Sequence, residues 1–152
     1  MPHLQELALN ATLLNNTITV LSEEPNRLRV LSVSNIPLVG SLSKFLENSP
    51  YLELLNLDDT EFLVDDEELI KAISNKNCEL LQLLSLRNCA FVTDRFINFL
   101  MGNKPPLLRE LTITGTKATS RAVTKLEVTQ PNLTIIFRPM NNTRRSADIY
   151  FQ

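Results

Sequence analysis

The side chains best suited to chemistry in this sequence are two cysteines and one histidine. Cys78 and Cys89 are the only thiols, and His3 is the only imidazole. Nucleophilic catalysis needs a base beside the nucleophile and a carboxylate that orients the base. No cysteine or serine of this sequence has both in a recognisable arrangement. We therefore predict that the chain is not an enzyme and that it needs no cofactor.

Carboxylates form a second group of chemically useful side chains. Between positions 58 and 68 the chain carries Asp58, Asp59, Glu61, Asp65, Asp66, Glu67 and Glu68. Their spacing does not match an EF-hand loop, and no glycine makes the turn that such a loop requires. Acidic side chains are also typical of a helix N-terminus, where they face the positive end of the helix dipole. We interpret the cluster as a helix start and predict no metal site.

The composition is that of a globular chain that is almost neutral. Its 152 residues contain 15 basic and 17 acidic side chains, and 43% of them are hydrophobic. This balance gives no reason to expect binding to nucleic acid or to an acidic membrane surface, and no apolar run approaches the ~20 residues of a transmembrane helix. Two cysteines and no recognisable secretory signal favour a reducing compartment, so we expect a cytoplasmic or nuclear location.

Charge is distributed unevenly along the chain. Residues 1–80 contain 5 basic and 13 acidic side chains, whereas residues 81–152 contain 10 basic and 4 acidic ones. The basic half lacks the interleaved aromatic residues on which single-stranded nucleic acids stack. We therefore interpret the asymmetry as a polarised protein surface.

The pattern Leu-x-x-Leu-x-Leu recurs along the chain and indicates internal repeats. Copies of this pattern, with conservative replacements, begin at Leu4, Leu28, Leu52, Leu81 and Leu108, and a decayed sixth copy begins at Leu133. The intervals between successive copies are 24, 24, 29, 27 and 25 residues. A nearly fixed period of this size is typical of a repeat protein in which each copy packs against the next.

A small polar residue follows most copies of the pattern. The residues three positions after the last apolar position are Thr12, Ile36, Thr60, Cys89 and Thr116. Where the chain leaves a buried strand, its backbone polar groups need partners. A small side chain that forms hydrogen bonds therefore suits this position, and four of the five copies have one. We interpret Cys89 as a buried turn residue rather than a nucleophile.

The second half of each repeat predicts a helix. Ser41, Asp65, Thr93 and Ser120 each suit a helix start, and apolar residues follow them at helical spacing. A strand followed by a helix every ~25 residues predicts an α/β right-handed solenoid with a parallel sheet on one side. Because strands stack ~4.8 Å apart and helices ~8–10 Å apart, the sheet side becomes concave. The predicted fold is a horseshoe of about 5.5 repeats over residues 4–139, followed by a polar tail, 140–152.

Two neighbouring repeats resemble the cysteine-containing class of leucine-rich repeat. In LLQLLSLRNCAFVTDRFINFL, residues 80–100, the match is carried by Cys89 and by Val92-Thr93-Asp94. In LLRELTITGTKATSRAVTKL, residues 107–126, Thr116 replaces the cysteine. This class is typical of F-box/leucine-rich-repeat proteins. The resemblance implies a leucine-rich-repeat horseshoe that recognises a substrate or subunit for a ubiquitin ligase complex.

Strand alternation turns the residues between the leucines outward, so that they form columns across the concave face. The first column is predicted to run through Glu6, Val30, Leu54, Leu83, Glu110 and Ile135, and the second to end at Phe137. Within the first column, Val30, Leu54 and Leu83 predict an apolar stripe, and exposed apolar stripes usually mark interaction sites.

We therefore predict a binding surface for a protein partner on this face. Its residues are Val30, Ser32, Leu54, Asn56, Asp58, Leu83, Ser85, Arg87, Glu110 and Thr112. An alternative is that strand propensity alone placed aliphatic side chains on a partly shielded sheet.

Two functions are compatible with these features. The first is an intracellular protein–protein interaction module, with the ligase role that the resemblance implies. The alternative is a structural scaffold or assembly factor of the same repeat type without a ligase role. Only three residues precede the first repeat, too few for an F-box, so we expect a receptor fragment or a stand-alone repeat protein. The edge of the first repeat is expected to be bare, or to pack on another chain or a missing upstream segment.

Overall fold

The computed structural model describes residues 4–10, 18–19, 25–34, 38–39, 41–60, 66–74 and 78–139. The strands are β1 Glu6–Asn10, β2 Ile18–Thr19, β3 Val30–Ser34, β4 Leu38–Val39, β5 Leu54–Asn56, β6 Leu83–Ser85, β7 Glu110–Thr112 and β8 Thr134–Ile136. The helices are α1 Leu42–Glu47, α2 Asp66–Ser74, α3 Asp94–Asn103 and α4 Ser120–Thr129. From α1 onward, helices and strands alternate. The predicted tail, 140–152, lies outside the described residues.

Six strands form one parallel sheet in the order β1-β3-β5-β6-β7-β8. The short strands β2 and β4 pair separately in a second parallel sheet. The helices pack in the same succession as the strands, with α1 against α2, α2 against α3, and α3 against α4. The chain is therefore an α/β protein whose parallel sheet alternates with helices, an arrangement compatible with a solenoid. No helix in the described ranges is long and apolar enough to cross a membrane.

The leucines of the repeated pattern form the core between the sheet and the helices. Leu31, Leu55, Leu84 and Leu111 pair with one another across β3, β5, β6 and β7, and all four are buried. The helices bury apolar side chains in the same cluster, among them Leu46, Leu69, Phe96, Leu100 and Leu126. The predicted equivalence of Leu55, Leu84 and Leu111 is confirmed by this register.

Helices begin at or next to the predicted capping residues. Ser41 Oγ accepts a hydrogen bond from the backbone of α1, and Thr93 Oγ1 accepts one from the backbone of α3. The cap of α4 is Thr119, one residue before the predicted Ser120. Asp65, the predicted start of the intervening helix, lies outside the described residues.

Three of the predicted turn residues are buried just after their strands, and they are Thr60, Cys89 and Thr116. The Thr60 hydroxyl donates a 2.7 Å bond to the Leu57 carbonyl, and the Thr116 hydroxyl donates a 2.8 Å bond to the Ile113 carbonyl. The Cys89 thiol instead reaches the preceding repeat and donates to the Leu57 carbonyl at 3.0 Å. The predicted turn role is confirmed for these residues, whereas Thr12 and Ile36 lie outside the described part of the chain.

The sixth copy of the pattern is one residue shorter than the others. Leu133 is buried, but Thr134 pairs with Glu110 and Ile135 pairs with Leu111. Ile135 therefore packs against the core, and the outward positions predicted for Ile135 and Phe137 are wrong. Because residues 135–137 are all apolar, no alternation in the sequence fixes which of them faces outward.

A residue with left-handed backbone conformation precedes each of the three buried turn residues. The φ angle is +56° at Asp59, +59° at Asn88 and +75° at Gly115. A β-carbon on Gly115 would also collide with the side chain of Asn88 in the neighbouring turn. Glycine at 115 therefore allows both the backbone angle and the close approach of two repeats.

We expect Gly115→Ala to lower the free energy of unfolding by about 1–3 kcal/mol, because the new methyl group is strained at this φ and must displace Asn88. Gly102→Ala is the matched control. Gly102 lies in α3 with open space around it, so alanine there should be neutral or stabilise by up to about 1 kcal/mol. Urea titration measures both changes, and a Gly115 variant as stable as the wild type would contradict the close approach.

Candidate functional site

We call the side of the six-stranded sheet that faces away from the helices the open sheet face. Strand register places the predicted apolar stripe on it, since Val30 pairs with Leu54 and Leu54 pairs with Leu83. Glu110 continues the same column on β7. All four side chains are partly buried. The stripe is therefore continuous across three strands, and it is half-buried rather than fully exposed.

Small polar side chains form the next column, in which Ser32, Asn56, Ser85 and Thr112 pair in succession. The first three are partly buried. Thr112 was expected to contact a partner, but it is only 6% exposed. It lies in register between Ser85 and the larger Ile136, so it contributes little surface to this face.

Asp58 follows β5 and is held in place by its neighbours. Its backbone N–H donates to Asn56 Oδ1 at 2.8 Å. Its Oδ1 accepts a 2.6 Å bond from the Ser85 hydroxyl and a 2.8 Å bond from the Arg87 backbone N–H. These bonds join the ends of two strands and fix the carboxylate, while the Arg87 side chain remains exposed beside it.

The predicted surface contains a cleft of about 290 Å³. Eight of the ten predicted residues line it, namely Leu54, Asn56, Asp58, Leu83, Ser85, Arg87, Glu110 and Thr112. Val30 and Ser32 lie beside the cleft on β3 and do not line it. The cleft also includes Ile136, an exposed residue that the sequence pattern placed in the core. The one-residue shortening of the last copy explains why sequence reasoning missed it.

An ion pair borders the stripe at the edge where the strands begin. Arg29 and Glu53 directly precede Val30 and Leu54, and their side chains lie 3.0 Å apart. The hydrogen bond and the negative charge of Glu53 raise the pKa of Arg29 above its ordinary value. Because the arginine is exposed, the pair orders the rim of the site more than it stabilises the fold.

The acidic cluster joins neighbouring helices. Asp66 is buried at the start of α2 and accepts hydrogen bonds from the backbone N–H and the hydroxyl of Thr93. Glu68 accepts bonds from the Ser41 hydroxyl at 3.1 Å and from the Ser43 N–H at 3.2 Å. The interpretation as a helix start is confirmed for Asp66 and Glu68, whose carboxylates tie α2 to the helices on both sides.

The same link recurs one repeat later. Asp94 accepts hydrogen bonds from the Thr119 N–H at 2.7 Å and from the Thr119 hydroxyl at 2.8 Å. These carboxylates therefore have structural partners. Among the described residues, no three potential metal ligands form a group; Glu61 and Asp65 of the cluster lie outside these residues.

Both thiols are buried in the core. Burial raises the pKa of Cys78 to about 11 and that of Cys89 to about 11, although the nearby Thr60 hydroxyl favours the thiolate of Cys89 slightly. A thiol with such a pKa is protonated at neutral pH and is a poor nucleophile. The third candidate group, His3, lies outside the described residues.

We expect both thiols to react slowly with a thiol reagent in the native state and rapidly after unfolding.

Raising the pH should destabilise the fold, because the unfolded thiols ionise near 9 whereas the folded ones keep their protons up to about 11. Thiol ionisation leaves the free energy of unfolding unchanged well below pH about 9. It lowers that free energy by about 1–2 kcal/mol per thiol by pH about 10.5. Urea titrations at both pH values measure it. The Cys78→Ala, Cys89→Thr variant is the control and should lose less stability, so an equal loss would contradict the assignment.

Comparison with known proteins assigns no family to the chain. A scan against known protein families found none that matches, and a search of curated proteins also found no match. The open sheet face is therefore interpreted from its own geometry and chemistry.

Proposed function

We propose that the chain is a leucine-rich-repeat module and that a protein partner binds its open sheet face, the concave side of the horseshoe. The observation that carries this proposal is the cleft of about 290 Å³. Its floor is apolar at Leu54 and Leu83, and its rim carries hydrogen-bonding and charged side chains. An apolar centre with a polar rim is the usual anatomy of a protein interface.

The cleft offers complementary contacts to a polypeptide. An apolar partner side chain fits between Leu54 and Leu83, where it would cover surface that is now in contact with water. Asn56 uses Oδ1 for the Asp58 backbone, which leaves its amide nitrogen to donate to a partner carbonyl. Arg87 is exposed at the rim and suits a carboxylate of the partner, which a guanidinium binds with two parallel hydrogen bonds.

We further propose that the partner is a substrate or subunit of a ubiquitin ligase complex in the cytoplasm or nucleus. The support for this narrower role is the resemblance of residues 80–100 to the cysteine-containing repeat class. A scaffold or assembly factor without a ligase role is the second candidate. Exposed apolar side chains away from the open sheet face favour it, in particular Leu4 before β1 and Val128 on α4.

Site-specific photo-crosslinking in cell extract tests the proposed binding face. A benzophenone amino acid replaces Arg87 at the rim of the cleft or, as a control, Lys125 on the exposed side of α4. We expect the probe at position 87 to crosslink a defined protein that mass spectrometry identifies, and the probe at position 125 not to crosslink it. Crosslinks from position 125 alone would favour the scaffold. Ligase subunits or ubiquitylated proteins among the products would support the narrower role.

A further inference from the structure

Three large apolar side chains are exposed at one edge of the sheet, where the strands begin. Tyr51 is 52% exposed, Leu80 is 38% exposed and Leu107 is 49% exposed. Each directly precedes the first leucine of its repeat. We call these three residues the edge row. They lie outside the cleft of the open sheet face, and the proposed function does not use them.

Backbone hydrogen bonds show that the edge row is continuous. The residues two positions later are Glu53, Gln82 and Arg109. The Glu53 carbonyl accepts a 2.8 Å bond from the Gln82 N–H, and the Gln82 carbonyl accepts a 3.0 Å bond from the Arg109 N–H. Tyr51 and Leu80 also line one cleft of about 310 Å³. Because the segments that follow them pair at strand spacing, about 4.8 Å, we infer that the three side chains stand side by side.

The fold does not require apolar residues at these positions. Each is the third residue of a four-residue turn that a backbone bond of 3.1–3.2 Å closes. Asn, Asp, Ser and Gly are typical of exposed turn positions because they suit the turn geometry and water. The following repeat has such a residue, Asn132, at the equivalent position. Three consecutive exceptions form an exposed apolar patch, and such patches mark interaction sites.

Arginines flank the edge row at both ends. Arg27 directly precedes Leu28, the first leucine of the preceding repeat, and Arg109 follows Leu107 by two residues. Both are exposed, and the described residues provide no ion-pair partner for either. Three carboxylates are close in sequence: Glu53 is paired with Arg29, Glu79 lines a different cleft together with Lys104, and Glu110 lines the cleft of the open sheet face. The ends of the row therefore favour a partner with negative charge.

The spacing of the row favours a helix over an extended segment as its occupant. Three positions at strand spacing span about 9.6 Å. The apolar positions i, i+4 and i+7 of an α-helix span about 10.5 Å, whereas three same-side residues of an extended strand span about 13 Å. The three residues also lie in turns and not in a strand, so they form no regular strand edge.

We propose that the edge row binds an amphipathic helix of a partner protein, with apolar residues at i, i+4 and i+7 and acidic residues at both ends of that stripe. The apolar side chains contact Tyr51, Leu80 and Leu107, and the carboxylates bind Arg27 and Arg109. This is a second interaction surface, independent of the open sheet face, which the module uses in addition to its cleft.

A displayed library of 16-residue peptides tests this proposal with the full chain as target. Peptides are selected for binding to the wild type and counter-selected against the Leu80→Ser, Leu107→Ser variant. This selection should enrich peptides with the i, i+4, i+7 apolar pattern and acidic ends. Fluorescence anisotropy of the best labelled peptide should show binding at least tenfold weaker for that variant and for Arg27→Glu, Arg109→Glu. Salt should weaken the interaction.

Two control proteins separate this surface from the rest of the molecule. Val128→Ser changes an aliphatic side chain that is 78% exposed on α4, and it should bind the peptide like the wild type. The Leu54→Asp, Leu83→Asp variant of the open sheet face should also retain binding, so the two proposals fail separately. Failure to enrich any peptide, enrichment of basic or proline-interrupted peptides, or equal binding by the edge-row variant would overturn the proposal.

Discussion

Leu84→Ala is expected to lower the free energy of unfolding by about 2–5 kcal/mol, the range found for buried leucine truncations. Leu84 is fully buried on β6 and stands in register between Leu55 and Leu111. Removal of its side chain leaves a cavity that two neighbouring repeats line. Because each repeat is stabilised mainly by its contacts with the next, the loss should reach beyond the substituted strand.

The adjacent Leu83 provides a matched control for this prediction. It has the same side chain on the same strand, but it is half-buried on the open sheet face. Leu83→Ala should therefore cost much less than Leu84→Ala in a urea titration. A loss below about 1 kcal/mol for Leu84→Ala, or equal losses for the two variants, would mean that the assigned register is incorrect.

The register of the middle repeats was predictable from the sequence because the alternation within each strand agrees with the spacing between repeats. Leucines at alternate positions mark the buried side of β5, β6 and β7, and the turn residues that follow mark where each strand ends. The same alternation located eight of the eleven residues that line the cleft of the open sheet face. Leu55 and Leu84 also line it, and both are buried in the core, as the alternation predicts. At residues 135–137 the alternation is absent, and the outward positions predicted there are wrong.

Other features depend on contacts between repeats that no local pattern encodes. The sequence marks Asp66 as a helix-start residue, but its bonds to Thr93 in the next repeat arise only when the helices pack side by side. Thr112, which is buried, likewise lies in register between Ser85 and Ile136 of the two neighbouring strands. The exposure of the three edge-row side chains is a further property that the repeat pattern does not encode.

The largest functional effect is expected from the Leu54→Asp, Leu83→Asp double variant, which should lose capture of the partner that crosslinks from position 87. Two carboxylates in the floor of the cleft would remain hydrated and could not be buried against an apolar partner surface without a large free-energy cost. Since both side chains are only half-buried, the variant should stay folded and lose less stability than Leu84→Ala.

Glu67→Lys is the matched charge control, because Glu67 is exposed on α2, whereas its neighbours Asp66 and Glu68 hold hydrogen bonds between repeats. We expect this variant to keep its partner, with at most a salt-sensitive change in association rate. The scaffold alternative predicts that Glu67→Lys loses more partner capture than the double variant, since it places the contact away from the sheet. A pull-down with both variants decides between the two: wild-type capture by the Leu54→Asp, Leu83→Asp protein would remove the open sheet face as the binding site.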